Sequence, residues 1–224
     1  MTDAPAPQSQ IANRQSPIAN PQSQIANRKS PIPTVLGIAG SSRRDGNTDR
    51  LLHEALRGAA DAGADTELYA IRGHKLIPCA ACDRCISTGR CVMKDDMQDV
   101  YPKLLGTTHL LFASPIYFTA VSTYAKMLID RCQCFWNLKY VARKPLFDPP
   151  RPGRRGLLLS VCGSDRPWMF DGARRTLKAL CDVLELEYAG DHCYINVDTK
   201  DDILDHPTAL AEAYEAGRTL VQPG

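Results

Sequence analysis

Four cysteines within thirteen residues carry the strongest chemical signal in this sequence: Cys79-Ala-Ala-Cys82-Asp-Arg-Cys85-Ile-Ser-Thr-Gly-Arg-Cys91, a C-x2-C-x2-C-x5-C run. Thiolate is a soft ligand that selects iron–sulfur clusters or zinc, and cysteines two residues apart can each take one corner of a cubane. Ala80 and Ala81 are small enough for close approach, and Gly89 eases the chain back toward the fourth sulfur. Arg84 and Arg90 partly offset the charge of four thiolates, while Val92 stands where bacterial cluster-binding runs have proline. Three chemistries stay open. The leading one is a 4Fe–4S cluster held by Cys79, Cys82, Cys85 and Cys91. The others are a zinc site, although structural zinc sites usually pair two separated C-x2-C knuckles, and a free-thiol or redox-disulfide loop.

A second loop points to phosphate. The apolar run TVLGIAGS (34–41) leads into Gly40-Ser41-Ser42-Arg43-Arg44-Asp45-Gly46-Asn47-Thr48, and helical periodicity follows. A helix N-terminus with free N–H groups suits an anion. The loop is not G-x-G-x-x-G and lacks the lysine of an NTPase P-loop. A loop rich in hydroxyls and amides fits a monophosphate ester such as that of FMN, with Ser41, Ser42, Arg43, Asn47 and Thr48 as candidate ligands. The plainer reading is a polar turn in which Asn47 or Thr48 caps the helix.

These loops need a frame. Short apolar runs at 34–41, 65–71, 108–115, 154–163 and 188–197 predict five strands. Helical spacing is expected from about Thr48, over Asp95–Gly106 with Pro102 awkward inside it, from Thr119 to about Trp136, over Trp168–Leu186, and from Asp201 to about Val221. Strands that are continuous apolar runs and alternate with helices predict an α/β fold, a parallel sheet covered on both faces. In such a sheet ligands bind beyond the carboxyl ends of the strands.

The GSSRRDGNT loop and the segment SPIYFTAVSTYAKMLIDR (114–131) resemble the NADPH-dependent FMN reductase family of flavodoxin-like proteins, and the resemblance covers about Thr34–Val221. It implies a doubly wound sheet of order 2-1-3-4-5 with FMN phosphate on the first loop. Pro115, Ile116, Tyr117 and Phe118 would line the flavin ring, and Cys162, Gly163 and Ser164 would form a third flavin loop. The flavin itself performs the chemistry, so no catalytic side chain is expected. The cysteine loop followed by VMKDDM (92–97) resembles the iron–sulfur flavoprotein branch, which implies FMN plus a cluster and electron exchange with a ferredoxin-like protein. The alternative within the family is an NAD(P)H-dependent FMN or quinone reductase without a cluster. A non-enzymatic module with a zinc-stapled loop ranks third. The family also implies a homo-oligomer, dimer or tetramer.

Composition bounds the rest. The chain has 224 residues, 44% of them hydrophobic, and a formal charge of +2, which gives no footprint for nucleic acid or an anionic membrane. No apolar run approaches the ~20 residues of a membrane helix. Residues 1–33 repeat a seven-residue unit (SQIANRQ, SPIANPQ, SQIANRK) broken by proline, and read as a disordered tail before a single domain at 34–224. No apolar stretch of signal-peptide type stands near the start, so a reducing, cytoplasmic setting is expected for the nine cysteines. Cys132, Cys134, Cys162, Cys181 and Cys193 read as small core hydrophobes, the five histidines as structural or surface residues, and Asp95-Asp96 as a helix cap. Trp136 and Trp168 are candidates to cover a flavin edge or a subunit contact. Lys139–Arg155, with six basic residues, reads as an exposed loop or a docking patch for an acidic partner.

Overall fold

The computed structural model describes residues 32–222. The repeat-bearing tail, apart from Ile32 and Pro33, lies outside the described residues. The strands are β1 (Thr34–Ala39), β2 (Asp65–Ala70), β3 (His109–Tyr117), β4 (Ala120–Val121), β5 (Arg155–Val161) and β6 (Glu187–Tyr194). The main helices are α1 (Asn47–Asp61), α2 (Met97–Gly106), α3 (Thr123–Arg131), α4 (Gln133–Trp136), α5 (Asp171–Val183) and α6 (Ala209–Leu220). The sheet runs β2-β1-β3-β5-β6, and all four of these neighbouring pairs are parallel. Its five long strands therefore follow the expected order 2-1-3-4-5, with β4 added as a short antiparallel partner of β3.

Alternation along each strand sorts the apolar residues into two cores. Leu36, Ile38, Leu110, Phe112 and Leu158 face α2, α3 and α5. Val35, Ala39, Leu111, Leu157 and Leu159 face α1 and α6. The latter helices approach so closely that a Cβ on Gly58 would lie 2.0 Å from the Tyr214 carbonyl oxygen, and one on Gly217 would lie 1.8 Å from that of Ala55. Neither backbone can yield without prying the helices apart. Gly217→Ala is expected to cost about 3 kcal/mol, the upper part of the usual overpacking range, and to lower Tm by roughly 10 °C. Thermal melts check this, and an unchanged Tm would mean that the helices are not in backbone contact.

Several element boundaries differ from expectation for local reasons. The helix expected from Thr119 starts at Thr123, with Ser122 Oγ accepting from the Ala125 amide at 3.1 Å. Phe118 and Thr119 instead form a two-residue hairpin loop, both left-handed at φ 49° and 63°, as a type I′ turn requires. After Arg131 the helix breaks into α4 and then a π-helical turn, Asn137–Val141. Trp168 lies in a 3-10 turn, Pro167–Phe170, ahead of α5. Pro207 separates a 3-10 turn at Asp202–Leu204 from α6. Pro102 sits within α2 on its exposed side.

The basic segment Lys139–Arg155 is exposed along much of its length, as expected of a loop, but several of its cations are tied into the fold. Arg154, only 3% exposed, donates to the carbonyls of Leu104, Thr107 and Leu184, tying the ends of α2 and α5. Arg151 donates to Leu105 and Gly106, Arg155 to Thr219 and Leu220, and Lys139 to Asp182. Four of the six cations thus make contacts that hold the fold. His109 is buried at the start of β3, and burial beside Arg155 and Arg154 pushes its pKa down to about 4. It is a neutral structural residue at ordinary pH.

Candidate functional site

Two separate pockets collect the residues singled out by chemistry. The first lies at the carboxyl edge of the sheet, where the loops after β1, β5 and β6 meet the end of β3. It is lined by Ser41, Arg43, Asn47 and Thr48, by Pro115, Ile116 and Tyr117, and by Cys162 and Gly163. Nine of the eleven residues expected to hold cofactor therefore come together. Ser42 and Phe118 do not: Ser42 is exposed outside the lining, and Phe118 is 98% exposed at the hairpin tip. Gly46, Val161, Val197 and Asp198 complete the lining. The last two belong to a fourth loop, after β6, that carries no sequence signal of its own.

The first loop is seamed to its neighbours. The Gly40 amide donates to the Ala113 carbonyl at 2.8 Å, and the Ser122 hydroxyl donates to the Gly40 carbonyl. A Cβ on Gly40 would meet that Ala113 oxygen and the Ala125 Cβ, both at 2.9 Å, so glycine is required by close approach. Asn47 does not cap α1. Its Nδ2 donates to the Thr199 carbonyl at 2.8 Å and its Oδ1 accepts from the Ile203 amide at 3.3 Å. Both polar ends are thus engaged in joining α1 to the loop after β6. Gly46 occupies the N-cap position, which leaves the helix start open to a ligand anion. The Arg43 guanidinium reaches across to the Asp198 carbonyl at 3.4 Å. Trp136 and Trp168, 41% and 52% exposed, line neither pocket.

The second pocket is built on the cysteine loop. Cys79, Cys82, Cys85 and Cys91 all line it, together with Arg131, Gln133, Cys134 and Asn137 from the end of α3 and the turns beyond. The loop makes its bends in the left-handed region, at Ala81 (φ 47°), Asp83 (φ 57°) and Gly89 (φ 67°). Gly89 is therefore used as the sequence suggested. Among the described residues, no three His, Cys, Asp or Glu stand so as to hold one metal ion. The thiols ring a pocket without closing on a point.

Two of the four sulfurs already accept hydrogen bonds. Asn137 Nδ2, presented by the π-helical turn, lies 3.0 Å from Cys85 Sγ. Arg131 Nη2 lies 3.4 Å from Cys91 Sγ. Burial disfavours the Cys91 thiolate, but the Met93 amide and the Arg131 guanidinium outweigh it, and the Cys91 pKa lies below the ordinary thiol value. Cys134, buried in the same pocket, is pushed up to about 12 by burial. The cation that sequence reasoning sought in Arg84 and Arg90 is Arg131, whose side chain is fully buried. Nothing in its own sequence context singled it out.

Asp95 and Asp96 are not the expected cap. Asp96 occupies the N-cap position but makes no side-chain cap bond. Its carboxylate accepts from the Lys75 amide at 2.8 Å, and that of Asp95 accepts from the Ile77 amide at 2.7 Å. Burial works against ionising Asp95, yet Arg131 and the Ile77 amide hold its pKa below the usual carboxylate range.

Comparison with known proteins places this arrangement. The chain superposes on an NAD(P)H:quinone oxidoreductase from Methanothermobacter marburgensis with a TM-score of 0.65 at 15% identity, covering 86% of this chain and 99% of that one. That likeness defines the fold, a flavodoxin-like α/β sheet. The model of the NADPH-dependent FMN reductase family matches residues 33–185, and the chain belongs to that family. It is also similar to an iron-sulfur flavoprotein of Methanocaldococcus jannaschii, 39% identical over 97 residues, 43% of this chain and 50% of the relative. A second iron-sulfur flavoprotein, from Archaeoglobus fulgidus, is 37% identical over 106 residues, 47% of this chain and 54% of the relative. The chain thus spans about half the length of these curated relatives.

Proposed function

We propose that this protein is an FMN-dependent oxidoreductase of the electron-transfer kind. FMN would sit at the carboxyl edge of the sheet, and a 4Fe–4S cluster on Cys79, Cys82, Cys85 and Cys91 would exchange electrons with a ferredoxin-like partner. The observation that carries this reading is that four thiols line one pocket, with buried N–H donors already aimed at two of the sulfurs. A cubane takes each thiolate on a separate iron, so its ligands ring a body instead of converging on one ion. That fits thiols that share a pocket but form no single-ion site. The donor set of the other pocket fits a phosphorylated flavin: an open helix start, the Ser41 and Thr48 hydroxyls and the Arg43 guanidinium at one end, with Pro115, Ile116 and Tyr117 at the other.

FMN, when bound, supplies one- and two-electron redox chemistry. The protein's part is to hold it. Ser41, Thr48 and Arg43 would bind the phosphate, and Ile116 and Tyr117 would line the ring. Arg131 and Asn137 hold the Cys91 and Cys85 sulfurs in place. All nine cysteines are free, in keeping with a reducing, cytoplasmic setting. Among the described residues no helix is long and apolar enough to cross a membrane. Phe118 and Trp168 leave large apolar surfaces in water that a second copy of the chain would cover, so we include a homo-oligomer in the proposal.

The second reading is an NAD(P)H-dependent FMN or quinone reductase without a cluster, favoured by the family model itself. Purification without oxygen, with iron, acid-labile sulfide and FMN assayed on one sample, decides between them. The first reading requires roughly four iron and four sulfide per chain beside bound FMN. Flavin without iron after reconstitution, bleached rapidly by NADH or NADPH, establishes the second.

A further inference from the structure

Arg131 has more contacts to satisfy than a structural lock requires. Its Nη1 donates to Asp95 Oδ2 at 2.5 Å and to the Ile77 carbonyl at 2.7 Å, while Nη2 donates to Asp95 Oδ1 at 2.9 Å and faces Cys91 Sγ at 3.4 Å. The Arg131 and Asp95 side chains are 0% and 1% exposed. The Tyr101 hydroxyl pins the Arg131 carbonyl from below at 3.0 Å. Asp95 and Arg131 together clamp both backbone groups of Ile77, two residues before Cys79. All of that would be met by Asp95 and Ile77 alone. What they leave over is the bond to Cys91 and an Nε–H that is buried with no partner. A buried donor on a charged group is costly to leave unmatched, and Arg131 lines the cysteine pocket.

We propose that the Arg131–Asp95 pair sets the reduction potential of the four-cysteine centre, with Arg131 presenting Nη2 to the Cys91 sulfur and offering its spare Nε–H to a sulfur acceptor of the bound group. This rests on the cluster reading above. The physical reason is that a reduced centre carries one more negative charge. A fixed buried cation with N–H donors stabilises that state more than the oxidised one, while Asp95, paired with both terminal nitrogens of the guanidinium, opposes it. Reduction potentials of such centres respond to hydrogen bonds to sulfur and to local charge. The exposed Asp83, Arg84, Arg90 and Lys94 act through water, where the same charges count for far less. The two buried partners therefore pull in opposite directions, and that opposition is what a purely structural pair would lack.

The test is a redox titration of the holoprotein, prepared without oxygen. The midpoints of the iron–sulfur centre and of FMN are followed separately by electron paramagnetic resonance and visible absorbance, for wild type, R131M, R131K and D95N. Iron content is measured on each sample. The expected result is a more negative centre midpoint in R131M, a more positive one in D95N, a value near wild type in R131K, and an unmoved FMN midpoint throughout. If R131M fails to fold or to hold iron, D95N and R131K decide: D95N must still move positive. Shifts of the same sign in D95N and R131M, or no shift in D95N with iron at the wild-type level, overturn the proposal. Wild type that takes up no iron refutes the cluster reading, and this inference with it. Wild type with iron and variants with unmoved midpoints refute this inference alone.

Discussion

Cys82→Ser is expected to strip iron from the protein while FMN stays bound at full occupancy. The effect should be close to all-or-none, because a hydroxyl is a poor replacement for a soft thiolate ligand. The result is interpretable because Cys82 is exposed, and surface substitutions usually stay within about 0.5 kcal/mol of wild-type stability. The two pockets share no lining residue, so FMN content serves as an internal control for folding. Cys134→Ser supplies the complementary control. That thiol lies in the same pocket but is buried, so its replacement should cost stability and leave iron in place. Iron and colour unchanged in Cys82→Ser would remove the cysteine loop from any metal role.

Arg43→Glu is expected to weaken FMN binding by about a hundredfold, from loss of a charge-assisted contact worth roughly 1.5–3 kcal/mol and from repulsion of the phosphate by the new carboxylate. Riboflavin, which lacks the phosphate, should bind wild type and variant alike, so the ratio of the two affinities isolates the phosphate contribution. The loss should shrink as salt is raised, since Arg43 is exposed and exposed charges are screened. Isothermal titration of the flavin-free protein with each ligand reads it directly. Equal losses for FMN and riboflavin would mean that Arg43 supports the pocket without touching phosphate. Ser42→Glu, the substitution the loop sequence first suggests, should do much less, because Ser42 stands outside the lining. Both variants act at exposed positions, so neither tests the buried core.

By itself the sequence determined the sheet and both chemical loops. Apolar runs of strand length alternating with amphipathic helices leave a parallel sheet as the arrangement that buries them, and the observed order β2-β1-β3-β5-β6 follows. Motifs confined to one short stretch were legible for the same reason. The hydroxyl-rich loop and the four cysteines each carry their signal in local spacing; the four cysteines share one pocket, and the loop lines the other with every candidate but Ser42. What local spacing could not determine was decided by contacts between distant segments. Phe118-Thr119 has no Asn-Gly signature, yet it forms a left-handed hairpin turn against α5, where a Cβ on Gly172 would come within 2.2 Å of the Thr119 carbonyl. That packing overrides helix propensity and leaves Phe118 outside the pocket at the carboxyl edge of the sheet. Asn47, expected as a phosphate ligand or helix cap, also serves as a strut, because Thr199, 152 residues away, supplies a carbonyl at 2.8 Å. Arg151 and Arg154 of the basic loop are engaged by the end of α2, which only the fold brings near them. The buried cation of the cysteine pocket is likewise a tertiary fact. Arg131 lies 40 residues from Cys91 in sequence, and only the packing of α3 beneath the loop gives its guanidinium a sulfur to face.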